Sequence, residues 1–168
     1  RENMDQISSP QRAELREIAR QTWGYFETFV TPADHHLPPD NYQEDPAPVV
    51  AHRTSPTNIG LYLLSAVAAH DLGWLGRAEL AARLESTLDT LLQLSRHRGH
   101  LFNWYDTLSL MPLPPHYVST VDSGNLAGHL LVIAQACAEF GASSRPSSAA
   151  LSGIGDTVSV FLHAVHEA

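Results

Sequence analysis

The sequence predicts an all-α fold of helical hairpins, and three observations support this prediction. Apolar residues recur at helical spacing in five segments, near residues 9–30, 55–71, 77–97, 120–140 and 146–166. The second and fourth segments are apolar on every face, whereas the others keep a polar side. Long and short connections alternate between the segments. Buried helices inside half-exposed ones form two layers, so five such helices would build an incomplete toroid, part of an (α/α)6 barrel.

The first helix has a clear start and a clear end. Ser9 is predicted to be its N-cap, with Pro10 at the first helical position, and Thr31 and Pro32 are predicted to end it. Its apolar residues lie on one side, which places Trp23 in the core and leaves the other side in water. We therefore expect an outer helix.

The second and third helices are predicted to form a hairpin. Ser55 precedes Pro56, which repeats the start signal of the first helix, and Gly73 follows the end of the second helix. The body of this helix is uncharged through residues 59–69, which predicts burial on all sides. A short turn leads to the third helix, predicted over residues 77–97 with a leucine stripe and a polar side.

The fourth helix, residues 120–140, is nearly uncharged and contains the single cysteine of the chain. We expect Cys137 to be a small buried side chain. A short connection at residues 142–145 leads to a more mixed fifth helix. Segments 55–60 and 119–124 share the pattern Ser-x-x-(Asn or Asp)-x-Gly, and each opens an apolar helix. This weak repeat predicts stacked units that cannot bury their faces alone.

Two long loops carry the polar and aromatic residues: loop A, residues 31–54, and loop B, residues 98–119. Antiparallel helices place both loops at one end of the molecule, the loop end, and both short turns at the other. Aromatic rings among Asp, Asn, Arg and His suit a sugar, which offers a flat apolar face and many hydroxyls. Long loops within a compact domain are usually functional. We therefore expect a carbohydrate site at the loop end.

Carboxyl groups at the loop end are candidates for glycosidic chemistry, which requires one acid and one nucleophile or base. The catalytic candidates are Asp106, Asp122 and Glu44, and the same end also holds Asp34, Asp40 and Asp45. Two aromatic residues precede Asp106 and are expected to raise its pKa by desolvation, although Asp106 equally fits a turn. Asp122 also fits a first helical turn, where the dipole alone favours an acid. Glu44 also fits a solvated loop residue.

Other loop-end side chains are candidates for binding hydroxyl groups. The fork of Arg53 suits hydroxyls or a carboxylate; alternatively, Arg53 pairs with Asp122 or Glu44 and holds the loops together. Asn58 and Asn125, each at the start of an apolar helix, either bind hydroxyls or bond to local backbone. Trp104 is either a sugar platform or a packed residue.

The composition and motifs exclude several classes of function. Acidic residues outnumber Lys plus Arg by 18 to 10, and the formal charge of −8 disfavours a nucleic-acid surface. No stretch reaches the roughly 18 apolar residues of a membrane span, and the polar start lacks the features of a signal peptide. The sequence contains no His-Glu-x-x-His zinc motif, no Gly-x-Ser-x-Gly motif and no glycine-rich phosphate loop. We expect neither a metal site nor a cofactor.

Five motifs resemble those of a known family. They are YFETFV at 25–30, LPPDNYQE at 37–44, HRTSPTNIG at 52–60, NWYDT at 103–107 and VSTVDSGNLAGHL at 118–130. Together they resemble the central glucoamylase-like region of bacterial cyclic β-1,2-glucan synthases. The resemblance covers residues 20–140, and residues from 143 onward carry no such motif.

The resemblance implies that residues 1–168 form one domain segment, the N-terminal part of a barrel in a very large inner-membrane protein. In such proteins this barrel is expected to close β-1,2-glucan chains into rings by transglycosylation, between a UDP-glucose-dependent glycosyltransferase and a phosphorylase-like region. Its implied partners are a β-glucan oligosaccharide and the remaining domains, and the cytoplasmic side of the membrane is favoured. The main catalytic acids are expected downstream, so the segment should be inactive alone. The implied substrate-binding residues are Asp40, Arg53, Asn58, Asn103, Trp104, Tyr105 and Asn125.

Two other functions remain open at this point. The chain is alternatively a non-enzymatic helical interaction module whose loops only brace the fold, or part of another carbohydrate-active (α/α) barrel enzyme. A concave, aromatic-lined loop end favours an enzyme. An incomplete barrel also predicts exposed apolar faces on the second, fourth and fifth helices, and hence a homo-oligomer or poor solubility.

Overall fold

The computed structural model of the chain describes residues 7–142 and 147–167 and contains five long helices. They are α1 (Ser9–Phe29), α2 (Pro56–Leu72), α3 (Arg77–Gln93), α4 (Thr120–Ala142) and α5 (Ser147–Glu167). The prediction of an all-α fold with five main helices is confirmed. The polar start at residues 1–6 and most of the predicted connection at 142–145 lie outside the described residues.

The N-terminus of α1 differs from the prediction by one residue. Ser8, not Ser9, is the N-cap, and its hydroxyl accepts a hydrogen bond from the Gln11 backbone N–H at 3.4 Å. The Gln11 side chain accepts one from the Ser8 N–H at 3.0 Å in return. This reciprocal capping box satisfies two backbone donors, which explains the shift.

The core is centred on α2, which packs against α4, α3, α5 and α1. Ile59, Tyr62 and Leu63 on this helix are almost fully buried. The predicted core residue Trp23 is confirmed, since its ring stacks on Tyr62 with an interplanar angle of 5°. Leu61, however, is exposed. Burial on every face is therefore wrong for one side of α2.

Helix α4 is less buried than its apolar sequence predicts. Leu126 and Ile133 reach the core, but Leu131 is 74% exposed and Val132 is 55% exposed. Cys137 is exposed as well, which corrects the expectation that it is buried. The buried side of α4 lies against α2, and the described chain contributes no element that covers the opposite side.

Helices α2 and α4 approach each other closely at one glycine. A Cβ atom on Gly60 would lie 2.2 Å from Nδ1 of His129. Gly60 therefore leaves room for the His129 ring between the two inner helices, and a larger residue there would have to displace that ring.

Helix α3 ends earlier than predicted. It stops at Gln93. Arg96–His97, predicted to be part of its last turn, form β4, which pairs in a hairpin with β5 (His100–Leu101) of loop B. Arg98 and Gly99 both have positive φ, of 51° and 88°, which is the geometry of a two-residue type I′ turn. This turn takes the chain out of the helix.

The two long loops meet at one end of the molecule, as predicted, and are joined by backbone pairing. Strand β3 (Arg53–Thr54) of loop A pairs antiparallel with β6 (Tyr105–Asp106) of loop B. Loop A also contains the short hairpin of β1 (Tyr42–Gln43) and β2 (Val49–Val50). Both loops therefore contain short paired strands that the sequence analysis did not predict.

At the opposite end, the turn between α2 and α3 lies against α5. A Cβ on Gly73 would lie 1.9 Å from the Ala149 carbonyl oxygen, and one on Gly153 would lie 2.3 Å from that of Gly73. Trp74 donates its indole N–H to Asp156 of α5 at 2.8 Å. Backbone contact at the two glycines thus brings α5 against this turn.

Candidate functional site

Loop A is fixed to the helices before it reaches the site. The hydroxyls of Thr87 and Thr90 on α3 donate to the carbonyls of His36 and His35 at 2.8 and 2.7 Å. The Tyr25 hydroxyl donates to the Pro39 carbonyl at 2.9 Å. These bonds fix the buried segment Leu37-Pro38-Pro39 in place. The residue that follows it, Asp40, is thereby presented at the loop end.

A buried carboxylate locks loop A to loop B. Asp34, only 5% exposed, accepts hydrogen bonds from His52 Nδ1 at 2.7 Å and from the Thr107 hydroxyl at 2.5 Å. The Thr107 N–H donates to the His52 carbonyl at 3.0 Å. Because a buried carboxylate is costly without donors, this cluster fixes the relative position of the loops.

Asp40 is the first carboxylate of the site, and three side chains surround it. Arg53 Nε and a terminal guanidinium nitrogen donate to one oxygen at 3.1 and 2.8 Å. Asn58 donates to the other oxygen at 3.2 Å, and Asn41 donates to the first at 3.2 Å. The predicted residues Asp40, Arg53 and Asn58 are thus brought together, and the partner of Arg53 is Asp40 rather than Asp122 or Glu44.

Trp104 lies beneath the guanidinium of Arg53, whose central carbon is 5.1 Å from the ring centroid. This cation–π contact covers one face of the indole. The Asn103 amide is oriented so that its oxygen accepts from Trp104 Nε1 at 2.8 Å and from the Tyr117 hydroxyl at 2.7 Å. The half-buried ring of Trp104 is therefore held at its edge and on one face.

Asp122 is the second carboxylate of the site and joins three segments. The Thr57 hydroxyl on α2 donates to one oxygen at 2.6 Å, and the Asn103 amide donates to the other at 2.8 Å. Asn125, one turn further along α4, donates to Thr57 at 3.1 Å. The first turns of α2 and α4 are therefore linked side chain to side chain.

The repeat seen in the sequence corresponds to a shared helix start. The Ser55 hydroxyl accepts from the Asn58 N–H at 3.2 Å, and the Ser119 hydroxyl accepts from the Asp122 N–H at 3.1 Å. Each serine caps its helix, so Asn58 and Asp122 occupy equivalent third positions. Equivalent positions on neighbouring helices bring both side chains to the loop end.

Asp106 does not have the raised pKa expected from its aromatic neighbours. Desolvation acts to raise the pKa, but the Ser109 N–H and hydroxyl donate at 2.7 and 2.8 Å, the Leu108 N–H donates at 3.0 Å, and His52 lies nearby. These interactions lower the pKa of Asp106 below its ordinary value of 3.8. The carboxylate closes its own turn and is poorly suited to donating a proton.

Two further predicted site residues, Tyr105 and Glu44, do not join the hydrogen-bonded side chains of the site. Tyr105 is fully buried, its hydroxyl donates to the Ser95 carbonyl at 2.7 Å and it accepts from the Phe102 N–H at 2.7 Å. The expected contact between Tyr105 and a substrate is thus corrected, because the ring belongs to the core. Glu44 is exposed in the β1–β2 hairpin, and no described residue hydrogen-bonds to its side chain.

Three participants were missed by the sequence analysis: Thr57, Tyr117 and His52. Thr57 lies inside the sequence repeat, and its position on the first turn of α2 is the signal by which it could have been found.

Across residues 7–142 and 147–167, no three His, Cys, Asp or Glu side chains are placed to hold a metal ion. In the same ranges, no helix is long and apolar enough to cross a bilayer.

The fold defines a class of protein. No family model matches the chain. A crystal structure of a protein from Bacteroides fragilis NCTC 9343, provisionally named a glucoamylase, superposes with a TM-score of 0.64 over 93% of this chain and 37% of that one, at 17% identity. The chain therefore has the helical fold of part of a glucoamylase-like (α/α) domain.

A sequence relative makes the assignment more specific. The cyclic β-(1,2)-glucan synthase NdvB of Rhizobium meliloti (strain 1021) is 51% identical over 169 residues, which span 99% of this chain and 6% of the synthase. The resemblance read from the motifs is thereby confirmed: the chain is homologous to one segment of a cyclic β-1,2-glucan synthase.

Proposed function

We propose that this chain is part of the glucan-processing domain of a cyclic β-1,2-glucan synthase and that its loop end binds β-1,2-linked glucan. The supporting observation is the polar network that joins loop A, loop B and the starts of α2 and α4. It consists of two hydrogen-bonded clusters, one of Asp40, Arg53 and Asn58 and one of Thr57, Asn103, Asp122 and Asn125. Trp104 connects them, because it lies against Arg53 and donates to Asn103. Homology to the synthase and the glucoamylase-like fold are consistent with this role.

The network retains capacity for a ligand. Arg53 directs two of its guanidinium N–H groups to Asp40, so further donors remain for sugar hydroxyls. Asn125 is exposed beside Thr57. Because the Asp40 and Trp104 contacts hold Arg53 in place, a hydroxyl meets a group that is already ordered, which lowers the entropy lost on binding.

We infer that the three catalytic candidates have different roles. Asp122, held by Thr57 and Asn103, suits a carboxylate that orients a sugar hydroxyl or a water molecule. Glu44 is exposed in a hairpin, whereas Asp106 and Asp122 are half-buried, so it is the most accessible of the three candidates. Asp106 is a turn residue. Glycosidic chemistry requires a matched acid and base, so we infer that residues outside this chain complete the centre and that the chain alone does not turn over glucan.

Calorimetric titration of linear β-1,2-gluco-oligosaccharides into the chain, with cello-oligosaccharides as the control ligand, tests the proposal. We expect binding selective for the β-1,2 linkage. Arg53→Ala should weaken binding by at least about tenfold, since hydrogen bonds to a charged group contribute roughly 1.5–3 kcal/mol. Trp104→Ala should weaken it by a smaller factor, because it removes the ring that supports the guanidinium of Arg53. Arg12→Ala, which removes an exposed arginine on α1, is the matched control and should bind normally.

A non-enzymatic bracing role is the second candidate, because Asp34, Asp40 and Asp122 all accept hydrogen bonds from neighbouring side chains. The titration distinguishes glucan binding from a bracing role. If the folded chain and the full-length protein both fail to bind either oligosaccharide, the network only braces the fold. Binding by the full-length protein that is unchanged in Arg53→Ala and Trp104→Ala would also favour bracing.

We further propose that the isolated chain self-associates through its exposed apolar faces. The full-length protein is inferred to be membrane-associated with this segment on the cytoplasmic side, which rests on the family resemblance alone.

A further inference from the structure

Tyr117, close to the end of loop B, is held at two points by a single residue. Its carbonyl accepts a hydrogen bond from the Asn103 N–H at 2.9 Å. Its hydroxyl donates to the Asn103 side-chain oxygen at 2.7 Å. Asn103 is itself only 7% exposed. The backbone of Tyr117 and the tip of its ring are therefore both fixed to a buried residue.

The chain on either side of Tyr117 is held as well. His116 Nε2 donates to the Pro112 carbonyl at 3.2 Å, and the His116 ring packs on Phe102 with the two ring centroids 5.5 Å apart. Two residues after Tyr117, the Ser119 hydroxyl caps α4. These contacts add to the two hydrogen bonds with Asn103, so Tyr117 is set in one orientation.

The Tyr117 ring nevertheless faces solvent over much of its surface. Tyr117 is 46% exposed, whereas Tyr105, whose hydroxyl is also hydrogen-bonded, is fully buried. A core tyrosine buries its ring and bonds its hydroxyl, but Tyr117 bonds its hydroxyl and leaves its ring accessible. A ring that is already held loses little conformational entropy when a ligand packs on it. Tyr117 therefore has the features of a binding platform.

The Asn103 amide connects Tyr117 to the candidate site. The oxygen that accepts from Tyr117 also accepts from Trp104 Nε1 at 2.8 Å, and the amide nitrogen donates to Asp122 at 2.8 Å. Two aromatic side chains thus converge on one atom of this amide, and a carboxylate lies at its other atom. Because Arg53 covers one face of Trp104, Tyr117 adds the accessible ring surface that Trp104 lacks.

We propose that the Tyr117 ring is a platform for one glucosyl unit of a bound β-1,2-glucan, next to the unit that contacts Arg53. This subsite rests on the glucan binding proposed above. A glucose ring has an apolar face of C–H groups that packs on an aromatic ring, while its hydroxyls bind polar groups at the edge, as in most ligand sites. The Tyr117 hydroxyl donates to Asn103 and keeps the capacity to accept from one sugar hydroxyl.

A purely structural role, in which Tyr117 only supports the Asn103 amide, is the alternative. That role depends on the hydroxyl, whereas a platform depends on the ring. Tyr117→Phe removes the hydroxyl and keeps the ring, and Tyr117→Ala removes both. The two substitutions therefore separate a platform from a support.

Calorimetric titration of linear β-1,2-gluco-oligosaccharides into the full-length protein, without UDP-glucose, compares these variants. We expect Tyr117→Ala to weaken binding about three- to tenfold, because an aromatic contact is lost. Tyr117→Phe should change binding by less than about twofold, since Asn103 keeps its bonds to Trp104 and Asp122. Arg53→Ala identifies the part of the binding that belongs to this site.

Nitration of tyrosine by tetranitromethane tests the platform without a substitution in it. The extent of nitration at Tyr117 is measured in the full-length protein by peptide mass spectrometry. A β-1,2-gluco-oligosaccharide at about ten times its dissociation constant should slow this nitration about tenfold, because only the free protein reacts. A cello-oligosaccharide at the same concentration should leave the rate unchanged.

Each other outcome overturns the platform. Equal weakening by Tyr117→Ala and Tyr117→Phe means that Tyr117 only supports Asn103. Resistance of Tyr117 to nitration in the absence of glucan means that another part of the polypeptide covers it. If Arg53→Ala weakens binding but Tyr117→Ala does not, the platform is ruled out while the proposed glucan binding stands. If the unsubstituted protein does not bind, or if neither substitution weakens binding, the proposed function fails as well.

Discussion

Three aspartates at the loop end lie close together in the chain's fold but have different partners. Asp40 faces the guanidinium of Arg53, Asp122 faces a hydroxyl and an amide, and Asp106 faces the backbone of its own turn. A carboxylate that closes a turn has little freedom to act on a ligand, whereas one held by side chains at the loop surface remains near it. The partners therefore divide the aspartates into one turn residue and two site residues.

The lowered pKa of Asp106 predicts how its contribution to stability depends on pH. A carboxyl whose folded pKa is depressed stabilises the fold above its unfolded pKa, near 3.8, and loses that contribution as the pH falls through the lower folded value. Asp106→Asn should lower the free energy of unfolding by about 0.5–1.5 kcal/mol at neutral pH, the net value of a hydrogen bond. Urea denaturation across a pH series measures the difference.

The free energies of unfolding of Asp106→Asn and of the parent chain should become more alike as the pH drops below 3.8. Asp89→Asn, on an exposed position of α3, is the matched control and should change stability little at any pH. If the difference in the free energy of unfolding between Asp106→Asn and the parent chain stays constant at acidic pH, the charge of Asp106 does not stabilise its turn.

Residue types at the site were predictable, but their pairings were not. The sequence indicated Arg53 as a fork for a carboxylate, yet Asp40 became its partner because the buried Leu-Pro-Pro segment brings Asp40 beside it. Tyr105 was assigned to the substrate-binding residues through the motif that it shares with Trp104. It is the first residue of β6 and is buried in the core, whereas Trp104, which precedes the strand, is half-buried beside Arg53. Such pairings depend on the paths of both loops, which no local pattern records.

At the scale of elements, the contact between α2 and α4 depends on Gly60. An alanine there would force the His129 ring away from α2, since its Cβ would lie 2.2 Å from Nδ1. We expect Gly60→Ala to lower the free energy of unfolding by about 1–3 kcal/mol, as overpacking does. Chemical denaturation of the two proteins under identical conditions measures this.

The sequence repeat supplies a matched control for Gly60→Ala. Gly124 holds the same position in the first turns of α4, and a Cβ there would meet no atom within 4 Å. Gly124→Ala should be neutral or stabilising by up to about 1 kcal/mol, because alanine favours a helix more than glycine does. Equal effects of the two substitutions would mean that helix propensity, and not the interhelical contact, governs both.

Helices were more predictable than the loops between them. The start of α2 carried two independent signals, a capping serine and a proline, and the structure places the helix within one residue of the prediction. The end of α3 was missed because the leucine stripe continues to Leu94, while the turn at Arg98 and Gly99 depends on positive φ values. The apolar sequence of α4 also led to an overestimate of its burial. A sequence pattern does not show whether the described chain contains a packing partner for each face of a helix.

At the scale of the molecule, exposed apolar side chains on α4 and α5 predict that the isolated chain self-associates. Burial of apolar surface contributes roughly 25 cal/mol per Å², so the exposed apolar side chains of α5 alone form a strong driving surface. Sedimentation velocity should show an average mass that rises with concentration. Val158→Glu together with Phe161→Glu should reduce this association without unfolding the chain, because both side chains are exposed.

Glu85→Gln, at an exposed position of α3 rather than of α5, is the control for that experiment and should leave association unchanged. A chain that remains a monomer over the whole concentration range would contradict the prediction and would show that the exposed faces do not attract one another.

The pairing of β3 with β6 has a consequence for the order of folding. Its two strands are separated along the chain by the whole of α2 and α3, so the ladder closes only after those helices have come together. Contacts of long sequence separation carry the largest loop-closure cost and form late. Arg53 and Trp104, one from each loop, therefore acquire their common position in the last stage of folding. When the ladder opens locally, they lose that position together, so the two loops open and close as one kinetic unit.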